Sequence, residues 1–178
     1  MAASAVTGGE LILNGIISSH LDGVIPLFEE AGCNIKVRNS KLKIDSPNRL
    51  KPFKSVRTMP YPGFPTDAQA VMMSVATVAK GTTVFVENIF ESRYRHVEDL
   101  TRLGANIKVA NKVAVVEGVD RLFGAKVVAK ELRGAAALVV ASLKAEGRTE
   151  IEGIKYLERG YEDLEVVLSS LGANIRKV

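Results

Sequence analysis

The sequence predicts an α/β fold of three repeats, with buried helices packed in the middle and sheets wrapped outside. Three observations carry that prediction. Two helix-like segments, 66–79 and 131–143, are apolar almost all the way round, and a helix with no polar face has to be buried on every side. A helix-stop followed by a strand-start recurs at 29–37, 102–109 and 170–176, with glycines 104 − 32 = 72 and 172 − 104 = 68 residues apart. Upstream, 9–13, 81–86 and 147–151 each read as a strand entered through a glycine after a buried-type helix.

Residues 1–8 read as the last two turns of a first buried helix, so the chain is expected to begin inside an element and to be a piece of something longer. The three repeats cover about 1–45, 66–117 and 131–178 of a single domain spanning 1–178. The middle repeat is the most legible. It predicts a buried helix over 66–79, a strand over 82–88, an amphipathic helix over 95–103, and strands over 106–110 and 112–117. The helix over 95–103 has a single apolar stripe through Val97, Leu100 and Leu103, unlike the first helix of its repeat. The proline-rich stretch 46–65 links repeats one and two and holds a strand candidate at 55–58. A second linker, 118–130, holds another at 125–129.

A chain of 178 residues with 47% hydrophobic content supports one domain with a substantial core. The formal net charge is +4, with Lys and Arg scattered among acids, which favours small anionic ligands over a nucleic-acid groove. With no Trp and 6% aromatics there are few surfaces on which bases could stack, so no nucleic-acid partner is expected. Cys33 is the only cysteine, which excludes an intrachain disulfide; it lies at a helix-to-strand junction and reads as a packed small residue. No leader pattern is visible at 1–6 and no apolar run approaches ~18 residues, so a cytoplasmic protein with no membrane partner is expected. His20 and His96 are isolated in sequence; both read as ordinary polar positions, and neither a metal site nor a cofactor is expected. Lys126, Lys130 and Lys144 read as solvated.

The first turns of the two apolar helices hold the charges. Asp67 follows Pro65 by two residues, where a carboxylate meets the positive end of the helix dipole. Arg133 is electrostatically misplaced at the start of the second helix, by roughly 0.3 to 1 kcal/mol unless an anion sits between. Two explanations stay open at this point: a bound anion, or a salt bridge from Arg133 to Glu131 or Asp67.

Four dispersed runs, 64–69, 87–97, 132–139 and 159–162, resemble the UDP-N-acetylglucosamine 1-carboxyvinyltransferases in order and spacing, over essentially the whole chain. The 5-enolpyruvylshikimate-3-phosphate synthases share that family's fold but fit these runs less well. The resemblance implies an inside-out α/β barrel of the enolpyruvyl-transferase type, and a chain that resembles the C-terminal domain of a two-domain enzyme. It implies transfer of the enolpyruvyl group of phosphoenolpyruvate to the 3-hydroxyl of UDP-N-acetylglucosamine with release of phosphate, the first committed step of peptidoglycan synthesis. Asp67 resembles the carboxylate that contacts the sugar 3-hydroxyl, in a catalytic and a binding role. Ile89 resembles the residue whose backbone contacts the nucleotide sugar, with Phe90 flanking it. Arg93, Arg133 and Arg159 resemble the cationic set around phosphoenolpyruvate and the departing phosphate. Glu131 departs from the family's Asp, which puts a catalytic role there in doubt. The family's catalytic cysteine belongs to the other half, so the expected partners are the two substrates and a missing N-terminal half, without which the chain is expected to be inactive. Apolar surface at the front edge is expected to drive self-association. The competing reading is a non-catalytic nucleotide-sugar or anion-binding module.

Overall fold

Helices that are apolar all round go to the middle, and the computed structural model, which describes residues 1–178, puts them there. Repeat one contains α1 (Ala2–Thr7), β1 (Gly9–Asn14), a 3-10 turn at Ser18–Leu21, α2 (Ile25–Glu30), β2 (Asn34–Arg38) and β3 (Lys41–Ser46). The first linker holds β4 (Ser55–Arg57); repeat two contains α3 (Thr66–Ala76), β5 (Thr82–Val86), α4 (Val97–Arg102), β6 (Asn106–Ala110) and β7 (Val113–Glu117). The second linker holds β8 (Lys126–Val128); repeat three contains α5 (Leu132–Ser142), β9 (Glu150–Glu152), α6 (Lys155–Glu158) and α7 (Leu164–Ser170).

Helices α1, α3 and α5 pack on one another. Small residues make the approach close. Ser74 donates its hydroxyl to the carbonyl of Ala137 at 2.7 Å, among the buried Ala70, Ala136 and Ala137. An 11-residue helix is marginal alone, so burial of Met72, Met73 and Val75, worth about 1.5–3 kcal/mol per side chain, is what holds α3.

The sequence predicts this helix to residue 79, but it stops at Ala76. Its last turn tightens, with Val78 N–H reaching back to Val75 O, and Thr77 gives its carbonyl to Val119 N–H at 2.7 Å. Gly118 presses against that turn, and a Cβ there would sit 1.7 Å from the Ala79 carbonyl oxygen. Only glycine fits the crossing.

Three sheets surround the helices, in orders β1-β3-β2, β4-β5-β7-β6 and β8-β9. The linker strands β4 and β8 each pair parallel with the first strand of the following repeat. Other predicted bounds shrink by one or two residues at an end: 82–88 ends at Val86, 95–103 becomes Val97–Arg102, and 112–117 starts at Val113. The 55–58 candidate ends at Arg57, with Thr58 in an isolated bridge to Phe64, and 125–129 becomes Lys126–Val128. The amphipathic helices α2 and α4 pack on their sheets and bury Phe28 and Leu100, while the aligned Leu168 of α7 is buried in a cluster with Ala135, Ala136, Val139 and Leu157.

The third predicted strand-start fails. Residues 174–176 form no strand, whereas β2 and β6 form by pairing with β3 and β7, and no strand of the chain takes that place beside 174–176. Cys33 is buried beside Ser46, its thiol pushed up by burial, which is the packed position expected of it. No helix is long and apolar enough to cross a membrane.

Candidate functional site

The site is built around a buried carboxylate to which the sequence reading assigned no role. Glu87 follows β5 and is 1% exposed. Its Oε1 accepts from Thr58 Oγ1 at 2.9 Å, Ile89 N–H at 2.8 Å and Phe90 N–H at 3.1 Å; its Oε2 accepts from Thr66 Oγ1 at 2.9 Å. Asn88 adds a backbone bond to Thr58 Oγ1 at 2.8 Å. One anion thus ties the 87–90 loop to the end of β4 and to the first residue of α3. Bonds to a charged acceptor contribute more than neutral ones, about 1.5–3 kcal/mol each.

That anchoring sets the position of Arg93. Its guanidinium lies over the Phe90 ring, 4.4 Å from the centroid; Nε donates to Thr66 Oγ1 at 3.2 Å and Nη2 to Asp67 Oδ1 at 3.0 Å. Arg133 approaches the same oxygen from the start of α5, with Nε 2.5 Å from Asp67 Oδ1, and this carboxylate raises the arginine's affinity for its proton. Of the two explanations left open by the sequence, the structure forms the ion pair with Asp67. Both guanidinium groups converge on one oxygen of Asp67 at the N-termini of two 11-residue helices, whose free N–H donors and dipoles favour an anion beside them. The arginine side chains are the shielded members, 16% and 30% exposed, while Asp67 is 65% exposed and accessible to a ligand.

Glu131 has a structural task. It is the N-cap of α5, accepting from the backbone N–H groups of Arg133, at 2.9 Å, and of Gly134. Capping satisfies donors that the first turn leaves unpaired and fixes where Arg133 begins.

Ile89 and Phe90 are exposed at the same rim. Their N–H groups turn inward to Glu87, so the carbonyl oxygen of Ile89 is the backbone group it can offer a ligand. Arg159 is not brought into the ion pair. It is exposed at the end of α6 without a hydrogen-bond or ion-pair partner, though its neighbour Gly160 packs on Leu132 at the start of α5. Tyr161 is half-buried, and burial pushes its hydroxyl up. No group of three His, Cys, Asp or Glu side chains converges to hold a metal. The site's chemistry is that of fixed guanidinium groups around an accessible carboxylate, suited to holding a polyanion and orienting a hydroxyl.

His96 is not the ordinary polar position expected of it. It is 3% exposed, neither ring nitrogen has a hydrogen-bond partner, and it packs on Gly134, where a Cβ would come within 2.9 Å of its own Cβ. It therefore lies between the loop of Arg93 and the first turn that carries Arg133. Burial pushes the imidazole down to about 4. The unfolded chain takes up this proton near pH 6.5 and the folded chain only near 4, so falling pH favours unfolding across that window. We expect a loss of about 3 kcal/mol of stability between pH 7 and pH 4 from this residue. His96→Gln should remove that part of the slope in urea midpoints measured at both ends; an unchanged slope contradicts the assignment.

Lys130 also departs from expectation. Its Nζ is 2.7 Å from Glu98 and 3.3 Å from Asp99, which is 1% exposed and accepts from Val128 N–H at 3.2 Å. It offsets a buried charge that sequence spacing could not reveal.

With this geometry in view, the chain's relatives become informative. The EPSP synthase (3-phosphoshikimate 1-carboxyvinyltransferase) family profile matches residues 1–168. A UDP-N-acetylglucosamine 1-carboxyvinyltransferase 2 from Caldanaerobacter subterraneus subsp. tengcongensis is 46% identical over 178 residues, all of this chain and 43% of the relative. One from Desulfofundulus thermocisternus is 47% identical over 175 residues, 98% of this chain and 72% of the relative. Among solved structures, the enolpyruvyl transferase NikO from Streptomyces tendae matches with a TM-score of 0.85 at 26% identity, over 98% of this chain and 42% of that one. An EPSP synthase from Acinetobacter baumannii matches with a TM-score of 0.73 at 17% identity, over 99% and 42%, a likeness of fold alone. The chain thus spans less than half the length of the Caldanaerobacter relative. By the profile match and by its likeness to the Desulfofundulus relative, the chain belongs to the enolpyruvyl transferase family, beside the UDP-N-acetylglucosamine 1-carboxyvinyltransferases.

Proposed function

We propose that this chain forms one wall of a site that transfers the enolpyruvyl group of phosphoenolpyruvate to the 3-hydroxyl of UDP-N-acetylglucosamine, as the C-terminal domain of a two-domain enzyme. The observation that supports this most is the single carboxylate of Asp67 held by Arg93 and Arg133 at the N-termini of two buried helices. In the reaction a C–O bond forms between the sugar hydroxyl oxygen and the central carbon of phosphoenolpyruvate, and the C–O bond to phosphate breaks. The hydroxyl proton goes to Asp67. Arg93, Arg133 and Arg159 hold the carboxylate and phosphate charges, which grow as phosphate departs. Ile89 and Phe90 border the nucleotide sugar. This reading places the protein in the cytoplasm and in peptidoglycan synthesis, with a second domain supplying the opposite wall. Asp67 is exposed on this chain, so the chain alone cannot exclude water or complete the positioning, and no turnover is expected from it.

The test is Arg133→Ala in an enzyme that contains this chain. Losing a charge-assisted contact of about 1.5–3 kcal/mol should raise the KM for phosphoenolpyruvate by roughly 10- to 100-fold. Nucleotide-sugar affinity should stay within about twofold by calorimetry. An unchanged phosphoenolpyruvate dependence refutes the assignment.

A further inference from the structure

Cations that are scattered along the sequence are gathered by the register of the first sheet. Side chains alternate between the faces of a strand, and the buried Leu42 and Ile44 mark the inner face of β3. The outer face therefore presents Lys41 and Lys43 from β3 and Lys36 and Arg38 from β2. Lys43 lies directly opposite Lys36, and Lys41 directly opposite Arg38. Lys43 pairs with Glu10 at 2.5 Å; Lys36, Arg38 and Lys41 are exposed and form no ion pair. With Glu10 and Asp45 the face holds two acids against four cations.

Like charges set opposite one another cost a sheet stability, and the fold does not ask for them. The sister hairpin of repeat two has the same register and places Val115 and Val113 where Lys43 and Lys41 stand, facing Lys108 and Ala110. Guarding an open edge against pairing accounts for Lys36 and Lys108, which lie on edge strands. It does not account for Lys41 and Lys43, because β3 is the central strand of its sheet.

We propose that the outer face of the first sheet docks on an anionic lipid surface. Three features favour a bilayer over other polyanions. The hairpin closes in a two-residue turn at Asn39 and Ser40, so no long loop stands between its cations and a flat partner. The face carries no aromatic side chain on which bases could stack. Apolar side chains also stand beside the cations. Ile12, opposite Lys43, is 52% exposed, and Ile17, which follows the residue whose N–H bonds the Ser40 carbonyl, is 57% exposed. Cations on headgroup phosphates, with apolar side chains entering the interface, hold proteins on anionic membranes. The sequence expectation of no membrane partner rested on spanning segments; a sheet docked on the surface needs none. The residues of the candidate site all belong to repeats two and three, so docking through repeat one uses none of them.

The test is sedimentation of the 178-residue chain with vesicles, either of phosphatidylcholine alone or of phosphatidylcholine and phosphatidylglycerol in equal parts. We expect binding to the anionic vesicles, its loss at high salt, and none to the neutral ones. Lys36→Gln combined with Lys41→Gln should weaken binding about 30-fold. The Tm of that variant should be no lower than the parent's, since each change removes one member of an opposed pair. Arg57→Gln combined with Lys108→Gln removes the same charge from the outer face of the second sheet and should weaken binding by less than about threefold. Ile12→Ser should weaken it about fivefold. No binding, equal binding to both vesicles, or equal losses from the two double variants overturns the proposal. So does a DNA duplex bound as tightly with the same dependence on Lys36 and Lys41, which would make the face a nucleic-acid surface. No substrate enters these measurements, so their failure is separable from failure of the enolpyruvyl-transfer reading.

Discussion

Asp67→Asn, in an enzyme that contains this chain, should lower kcat by about 10² to 10⁴, the range typical of a lost general base, while the fold survives. Asn matches Asp in shape and can still accept from Arg93 and Arg133, so both guanidinium groups keep a partner. What disappears is the charge that accepts the hydroxyl proton. The stability cost is small because Asp67 is 65% exposed, and solvent screens an ion pair there to about 1 kcal/mol or less. Steady-state kinetics and a thermal scan on the same variant separate the effects. Wild-type kcat with a lowered Tm would make Asp67 a helix-terminus acid only.

Glu87→Ala should destabilise the chain by about 3 kcal/mol or more, since each buried donor left without its acceptor costs about 1–3 kcal/mol. Four donors lose their acceptor together: the hydroxyls of Thr58 and Thr66 and the N–H groups of Ile89 and Phe90. At 1% exposure, water cannot replace the carboxylate without opening the loop. Because the same loop carries Phe90 beneath Arg93, the variant should also lose order at Arg93, read as faster amide exchange over 88–94. A urea midpoint within about 1 kcal/mol of the parent would show that the carboxylate is not the anchor described here.

The central helices were legible because burial on all sides leaves an unmistakable composition, and glycines marked where each helix ends and each strand begins. Asp67 and Arg133 were found by the same logic, as charges in the first turns of helices that otherwise have none. Their mutual contact was one of the explanations left open, and it is decided only in the folded chain, where α3 and α5 meet. Glu87 was hidden for a different reason. Its partners lie 29 residues back at Thr58, 21 back at Thr66 and two or three ahead at Ile89 and Phe90, and no periodicity relates them. His96 and Lys130 owe their character to packing against α5 and Asp99, which sequence neighbours do not announce. The third strand-start was misread because the motif specifies a strand only where a partner lies beside it, as β7 does for β6.

Phosphate release tests the central claim most directly. The assay should contain phosphoenolpyruvate and UDP-N-acetylglucosamine, with the 178-residue chain alone and with the same chain joined to the remaining part of the 46% identical Caldanaerobacter relative. The account predicts no release from the chain alone, and release from the joined enzyme that requires both substrates. Release by the chain alone, or a correctly folded joined enzyme that binds both substrates and releases no phosphate, would contradict it.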